Sequence, residues 1–364
     1  MHKNPVIIIE TNNWYKEYLK VKEKFKINNP LIITSNGAIK RYQLDKIFNP
    51  AAILGDIKPN PSFKHCQSII NSLLNKNFDG FVALGGGSVM DTAKVIKAYF
   101  CTKNSNISEL IKIKKPYEKK FKSIFIPTTH GTGSEVTMWG TIWNMSERKK
   151  YSISHPDLFP TYAIIDGSLT TSLSEEYSFI SLMDALSHSF ESIWNKNSNK
   201  ESIKYAISAI SLIFKNYEKL ITNKKDITVR NNLLRASTLA GKAMSITKTA
   251  AAHSISYPLT INFGIPHGIA ASMSLLPLLE INKKKIDNSL DDLCNEIGTN
   301  YIGLVKFINE IPKGRIPFKL SYWNIKKSDL KVLCDQSFTK GRMENNIVNL
   351  TKKNVMFILN KILN

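Results

Sequence analysis

The chain has 364 residues, enough for two domains with separate hydrophobic cores, because domains usually contain about 100 to 200 residues. With 43% hydrophobic and 22% charged residues, the composition excludes a disordered or fibrous protein and a miniature scaffold held by disulfides. The net charge of +21 suits a nucleic acid, a membrane surface or an anionic substrate. We interpret most of this charge as a solvated surface.

Neither a nucleic-acid motif nor an export segment accompanies the charge. The densest basic run, residues 112–122, has the character of an exposed connection and lacks zinc-finger spacing or an aromatic RNP motif. The apolar stretch at residues 6–9 is shorter than a signal peptide requires, and the four cysteines form no CxxC pair. The uncharged segment 249–279 contains two histidines and three prolines, which favours buried protein interior over a membrane span. We therefore expect a cytoplasmic protein that partners neither nucleic acid nor membrane.

In chain order, the first half alternates short apolar runs with helical patterns, which is typical of a parallel sheet with crossover helices. The runs lie at residues 6–9, 31–34, 51–54, 80–84, 123–126 and 163–165. From Ser172 onward only patterns with a period of 3.6 residues follow. The sequence predicts a Rossmann-like α/β domain over residues 1–167 and an all-α domain over residues 168–364.

A strand, three glycines and a helix follow one another at residues 81–94. Gly85, Gly86 and Gly87 let backbone N–H groups approach a pyrophosphate at the start of a helix near Ser88. Met90 replaces the third glycine of the GxGxxG fingerprint, so a tight strand-to-helix turn is the alternative interpretation.

A second loop, residues 127–136, also follows an apolar strand and is rich in hydroxyl groups and glycine. Two such loops at the carboxyl ends of strands indicate one ligand lying across the sheet crevice. His130 in this loop is interpreted as an exposed polar side chain and is not among the predicted ligand contacts.

Asp184 and His188 lie four residues apart, hence on one face of a predicted helix, opposite its apolar stripe. That face is either solvated or a chelating pair. His253 and His267 lie in the uncharged segment, where buried imidazoles require partners. One carboxylate and three imidazoles suit Fe²⁺, Zn²⁺ or another borderline divalent ion.

Together these motifs resemble the iron-containing (group III) alcohol dehydrogenase family over essentially the whole chain. The resemblance implies the dehydroquinate synthase-like fold of that family, with a dinucleotide-binding α/β domain, a helical domain and a metal in the cleft between them. It implies Fe²⁺ most strongly, with Zn²⁺ as the alternative, and NAD(H) or NADP(H) as coenzyme. The implied metal ligands are Asp184, His188, His253 and His267. The implied coenzyme contacts are Ser35, Gly85, Gly86, Gly87, Ser88, Asp91, Thr128, Thr129, Thr132, Ser134 and Lys150.

Two positions depart from the pattern of many members. Ser35 stands where an aspartate binds the adenosine ribose, so repulsion of a 2′-phosphate is removed and NADPH is admitted. Tyr257 stands where another histidine serves in proton relay, and we predict that its phenol hydrogen-bonds the substrate oxygen.

The segment 247–260 resembles the phosphonate-associated branch of the family, whose members are similar to phosphonoacetaldehyde reductases. A phosphonate aldehyde is an anion, and Arg235, Lys248 and Arg342 are the predicted contacts, with a plain surface cation as the alternative for each. The resemblance also implies a homodimer or larger homo-oligomer.

The predicted activity is metal-dependent, NAD(P)H-linked reduction of a small anionic aldehyde, phosphonoacetaldehyde above others, to its primary alcohol, 2-hydroxyethylphosphonate. A general short-chain alcohol dehydrogenase or aldehyde reductase of the same family is the first alternative. A dehydroquinate synthase-like lyase, which would release no reduced product, is the second.

Overall fold

The computed structural model describes residues 4–102, 106–113, 115, 117–147 and 149–364. The chain divides into two compact units. One contains the described residues up to Thr129 together with Ser134–Thr170, and the other contains His130–Gly133 and Thr171–Asn364. Four residues of the second loop therefore group with the later part of the chain. Lys114 and Pro116 of the basic run lie outside the described residues.

The first unit is built on a six-stranded sheet in which every strand pair is parallel. Its strands are β1 Ile7–Glu10, β2 Pro30–Ile33, β3 Ile53–Leu54, β4 Gly80–Gly85, β5 Lys122–Pro127 and β8 Tyr162–Ile165. They follow the spatial order β1-β8-β5-β4-β2-β3. The helices of this unit are α1 Trp14–Lys24, α2 Asn36–Tyr42, α3 Leu44–Ile47, α4 Phe63–Leu73, α5 Gly87–Cys101 and α6 Ile107–Leu110. The predicted α/β fold is confirmed.

Alternating side chains of the central strands enter two different cores, as a sheet covered on both faces requires. Phe81 and Ala83 of β4 join one core cluster, whereas Val82 and Leu84 join the other. The same alternation continues on β5, with Phe125 in the first cluster. The continuous apolar runs seen in the sequence follow from this burial on both faces.

A two-stranded antiparallel hairpin accompanies the main sheet and is absent from the predicted elements. It consists of β6 Trp139–Asn144 and β7 Lys149–Ser154. Both strands are only partly buried, so polar residues interrupt their apolar pattern.

The second unit is helical. Its α-helices are α7 Glu175–Ile193, α8 Lys200–Thr222, α9 Ile227–Thr247, α10 Ala251–Phe263, α11 His267–Ser272, α12 Leu275–Asn282, α13 Asp287–Ile297, α14 Tyr301–Glu310, α15 Leu330–Gln336 and α16 Lys352–Lys361. Helix α7 is buried almost all round from Ser178 to its end, which places it inside the large core of this unit. Across the described parts of the chain, the helices all fall short of the length and apolar character that crossing a bilayer demands.

Candidate functional site

Helices α7 and α10 bring three of the predicted metal ligands together. Asp184 and His188 lie one turn apart on α7, and His253 lies in the first turn of α10. All three are buried, and one potential ligand atom from each lies within 4.8 Å of the others. The rings of His188 and His253 are stacked with centroids 4.6 Å apart. The polar face of α7 is therefore an interior face, which excludes the solvated alternative.

The spacing of these atoms fits a bound cation. The Nε2 atoms of His188 and His253 lie 4.0 and 3.8 Å from Oδ1 of Asp184, too far for hydrogen bonds. Within the described chain, that carboxylate oxygen is buried without a hydrogen-bond partner. Tetrahedral coordination at normal bond lengths separates ligand atoms by about 3.3–3.6 Å, so a small contraction would accommodate an ion.

His267 begins α11 and is the fourth predicted ligand. Its ring centroid lies 5.2 Å from that of His253, in an edge-to-face arrangement. The neighbouring Gly268 packs so closely on α7 that a Cβ atom there would overlap the carbonyl oxygen of Ile180. Helix α11 thus packs on α7 with His267 beside His253, whereas the group of ligand atoms within 4.8 Å of one another contains only Asp184, His188 and His253.

Glu191 is a site residue that the sequence analysis did not assign, although it lies on the same polar face of α7 as Asp184 and His188. It is fully buried, and its Oε2 lies 2.5 Å from Nδ1 of His253. Burial raises the pKa of Glu191 to about 7, although nearby backbone N–H groups, led by that of His253, act to lower the pKa. Glu191 follows Asp184 by seven residues, a spacing that places both on one face of a helix, and this pattern in the sequence could have identified it.

Tyr257, the predicted proton-relay substitute, lies on α10 one turn after His253 and is buried. The spacing of four residues places both side chains on one face of the helix. Its role remains a prediction.

Two of the three basic residues predicted to contact the substrate, Lys248 and Arg342, lie in adjoining segments. The Nδ2 atom of Asn345 donates to the carbonyls of Thr249 and Gly341, at 2.8 and 3.0 Å. This bridge joins the backbone next to Lys248 to the backbone next to Arg342. Arg235 is exposed on α9, about 18 Å along the helix axis from Thr247, so the fold does not group it with the other two.

The glycine loop joins β4 to α5. Gly86 caps α5 without a side-chain hydrogen bond, and an added Cβ would lie 3.1 Å from the side chain of Thr129. The backbone N–H of Thr128 donates to the carbonyl of Gly85 at 3.1 Å. The two predicted coenzyme loops therefore meet at the carboxyl ends of β4 and β5. There the backbone N–H groups at the N-terminus of α5 can bind an anion.

Asp91 and Ser134, both predicted coenzyme contacts, are bonded to each other: the Ser134 hydroxyl donates to Asp91 at 3.0 Å. Burial raises the pKa of Asp91, whereas the charges of Lys94 and Lys150 lower it. The buried ammonium of Lys94 donates to the carbonyl and hydroxyl of Ser134, at 2.7 and 2.8 Å, and to the carbonyl of Trp139. In these contacts the side chains stabilise the shape of the loop.

Ser35 follows β2 and caps α2, with its hydroxyl accepting from the N–H of Ala38 at 3.2 Å. Thr132 is partly exposed in the second loop. Their coenzyme roles, like those of the glycine-loop residues, remain predictions.

His130 is buried, with 1% of its surface exposed, so the interpretation of an exposed loop residue is wrong. Its Nε2 lies 3.3 Å from Nη1 of Arg230, and because a guanidinium only donates, Nε2 accepts. Burial and this neighbouring charge lower the pKa of His130 to about 3. The same Nη1 donates to Ser178 on α7. His130 is thus a neutral side chain that holds residues 130–133 within the helical unit.

Comparison with known proteins identifies the class. Residues 5–167 match the family model described as iron-containing alcohol dehydrogenase. Residues 178–363 match the C-terminal model of the Fe-containing alcohol dehydrogenase family. The chain belongs to the iron-containing alcohol dehydrogenase family, which confirms the predicted family and enzyme class.

Particular relatives include a phosphonoacetaldehyde reductase of Streptomyces viridochromogenes, 29% identical over 66% of this chain and 61% of the relative. A probable alcohol dehydrogenase of Escherichia coli is 31% identical over 61% of this chain and 56% of the relative. The aligned part thus spans less than two thirds of either relative. A sulfoacetaldehyde reductase from Bifidobacterium kashiwanohense, solved with NAD⁺, superposes with a TM-score of 0.91 at 25% identity, covering 100% of this chain and 98% of that one.

Proposed function

We propose that the chain is a metal-dependent, NAD(P)H-linked reductase of a small aldehyde carrying a tetrahedral oxyanion, with phosphonoacetaldehyde as the first candidate substrate. The observation that carries this proposal is the buried cluster of Asp184, His188 and His253, in which polar atoms face one another at non-bonding distances. Family membership supports the reaction class.

The proposed metal ligands are Asp184, His188, His253 and His267, and they would hold Fe²⁺ or Zn²⁺. The bound ion would supply Lewis-acid polarisation of the carbonyl oxygen, and the reduced nicotinamide would supply the hydride. The Gly85–Ser88 loop at the start of α5 would hold the pyrophosphate of that coenzyme. Ser35 carries no charge to repel a 2′-phosphate, which supports NADPH as well as NADH.

The protein would orient the substrate through side chains of the helical unit. The Tyr257 hydroxyl would hydrogen-bond the carbonyl oxygen, and the product alcohol would take its proton through water. Lys248 and Arg342 lie in segments that Asn345 joins, and cations there would bind the oxyanion of the substrate. Two relatives, named as reductases of phosphonoacetaldehyde and sulfoacetaldehyde, act on aldehydes of this charge class and support the assignment.

The test is nicotinamide oxidation by the Fe²⁺- or Zn²⁺-loaded protein with phosphonoacetaldehyde, sulfoacetaldehyde and propanal, each with NADH and NADPH. A large preference in kcat/KM for the phosphonate is expected. Equal or better turnover of propanal would favour the second candidate, a general short-chain alcohol dehydrogenase, which the similarity to the probable alcohol dehydrogenase of Escherichia coli supports. Conversion of a substrate without any change in nicotinamide absorbance would contradict both and favour a lyase.

A further inference from the structure

Glu191 is a fully buried carboxylate whose two oxygens both contact a single residue on another helix. Its Oε1 accepts from the backbone N–H of His253 at 3.0 Å, and its Oε2 lies 2.5 Å from the Nδ1 atom of the same residue. Carboxylates are seldom buried completely unless they are paired, so this contact explains the burial of Glu191.

The same carboxylate also occupies the start of α10. That helix has no side-chain cap at Ala250, and among its first backbone N–H groups that of His253 donates to Glu191. A negative charge at a helix N-terminus is favourable, because the first N–H groups lack partners within the helix. Glu191 therefore fastens the start of α10 to α7, the helix that carries Asp184 and His188.

The contact with Nδ1 determines which nitrogen of His253 carries the proton. Since a carboxylate accepts, Nδ1 is the donor, and the Nε2 lone pair remains available on the opposite side of the ring. That Nε2 faces Oδ1 of Asp184 at 3.8 Å. The ring is thus held in the tautomer and direction that a metal ligand requires.

We propose that Glu191 is a positioning residue of the metal centre: it fixes the Nδ1–H tautomer and the ring direction of His253, and so presents Nε2 to the ion. The inference rests on the proposed metal-dependent function. It adds a residue that does not itself contact the ion, and it makes metal affinity depend on a hydrogen bond behind the ligand.

The variant Glu191→Gln tests the proposal. Glutamine keeps the size of the side chain, but its amide nitrogen cannot accept a hydrogen bond, so one side of the contact with His253 is lost. Ser189→Ala is the matched control, because Ser189 is equally buried on α7 and donates only within its own helix, to the carbonyl of Ala185.

The measurement is the Zn²⁺ or Co²⁺ dissociation constant of each purified full-length protein, determined by chelator competition, with circular dichroism confirming the fold. Glu191→Gln should weaken binding by about 10- to 100-fold and change the visible spectrum of bound Co²⁺, whereas Ser189→Ala should change neither. A folded Glu191→Gln protein with unchanged affinity and spectrum would overturn the positioning role. Failure of the natural chain itself to bind either ion would overturn the metal centre, which is a distinguishable result.

If the Glu191→Gln protein does not fold, a measurement on the natural chain still tests the proposal. In ¹⁵N-histidine-labelled, Zn²⁺-loaded protein, one metal-responsive imidazole should bind through Nε2 and keep a strongly hydrogen-bonded Nδ1 proton. Metal-responsive imidazoles that all lack such a proton would overturn the proposal.

Discussion

Replacing Lys248 with glycine should stabilise the protein while removing a proposed substrate contact. Lys248 has φ 65° and ψ 175°, a region of backbone conformation that essentially only glycine occupies without strain. Its conformation is imposed by neighbours: its N–H donates to the Met244 carbonyl at 2.7 Å, and its carbonyl accepts from Asn195 at 3.1 Å. The strained backbone at Lys248 lowers the stability of the fold. A role for this residue in substrate binding would explain why a lysine rather than a glycine stands there.

The expected gain follows from two opposing effects. Relief of backbone strain contributes about 1–3 kcal/mol. The greater freedom of glycine in the unfolded chain costs about 0.4–1 kcal/mol. The side chain of Lys248 is exposed, so its removal forfeits little packing. Lys248→Gly should therefore raise the free energy of unfolding by about 1–2 kcal/mol.

Lys248→Ala is the control, since it removes the charge but keeps the Cβ atom and the strain. Urea denaturation of the metal-free proteins, followed by circular dichroism, should place the alanine variant within about 0.5 kcal/mol of the natural chain. In the reductase assay both variants should lose about tenfold or more in kcat/KM for phosphonoacetaldehyde, and little for propanal.

Two results would refute this reasoning. A glycine variant no more stable than the alanine variant would show that the backbone at Lys248 stores no strain. Unchanged preference for the phosphonate in both variants would return Lys248 to the class of plain surface cations.

Three further predictions concern the loops. Because the folded pKa of His130 is about 3 and the unfolded value is about 6.5, the unfolded state takes up the proton first, and stability falls as pH drops below about 6.5. Between pH 7 and pH 5, the free energy of unfolding from urea titrations should fall by about 2 kcal/mol less in His130→Gln than in the natural chain. An equal fall in both proteins would contradict this. Gly133→Ala, whose Cβ would lie 2.5 Å from a backbone atom of Gly241, should cost about 1–3 kcal/mol more than Gly264→Ala, which has a similar positive φ in open space; equal costs would argue against crowding. Lys94→Met should destabilise by about 3–5 kcal/mol, because buried carbonyls and hydroxyls lose their donor, and a neutral effect in the same titration would exclude that role.

The sequence predicted the parallel sheet because strands buried on both faces are continuously apolar and stand out between helical patterns. The hairpin of β6 and β7 was missed for the opposite reason, since its strands are partly exposed and mix lysine, serine and glycine with apolar residues. The hydrophobic pattern of a strand is therefore easy to detect in the sequence when the strand is uniformly buried, and hard to detect when the strand is half-buried.

At the site, Asp184 and His188 were predictable because their spacing places them on one helix face. Glu191 and Arg230 were not, because a buried charge looks like any exposed charge until its partner is known. Their partners lie 62 and 100 residues away in the chain. Only the tertiary fold shows that these side chains are interior.

The central claim is that Asp184, His188, His253 and His267 bind the ion on which reduction depends. The most direct test measures metal stoichiometry and nicotinamide oxidation on the same samples of the natural chain and of His267→Ala, with circular dichroism as the folding control. The natural chain should bind one divalent ion per chain and oxidise NADH or NADPH with aldehyde, and the folded variant should lose both properties together. A His267→Ala protein with full activity would contradict the claim.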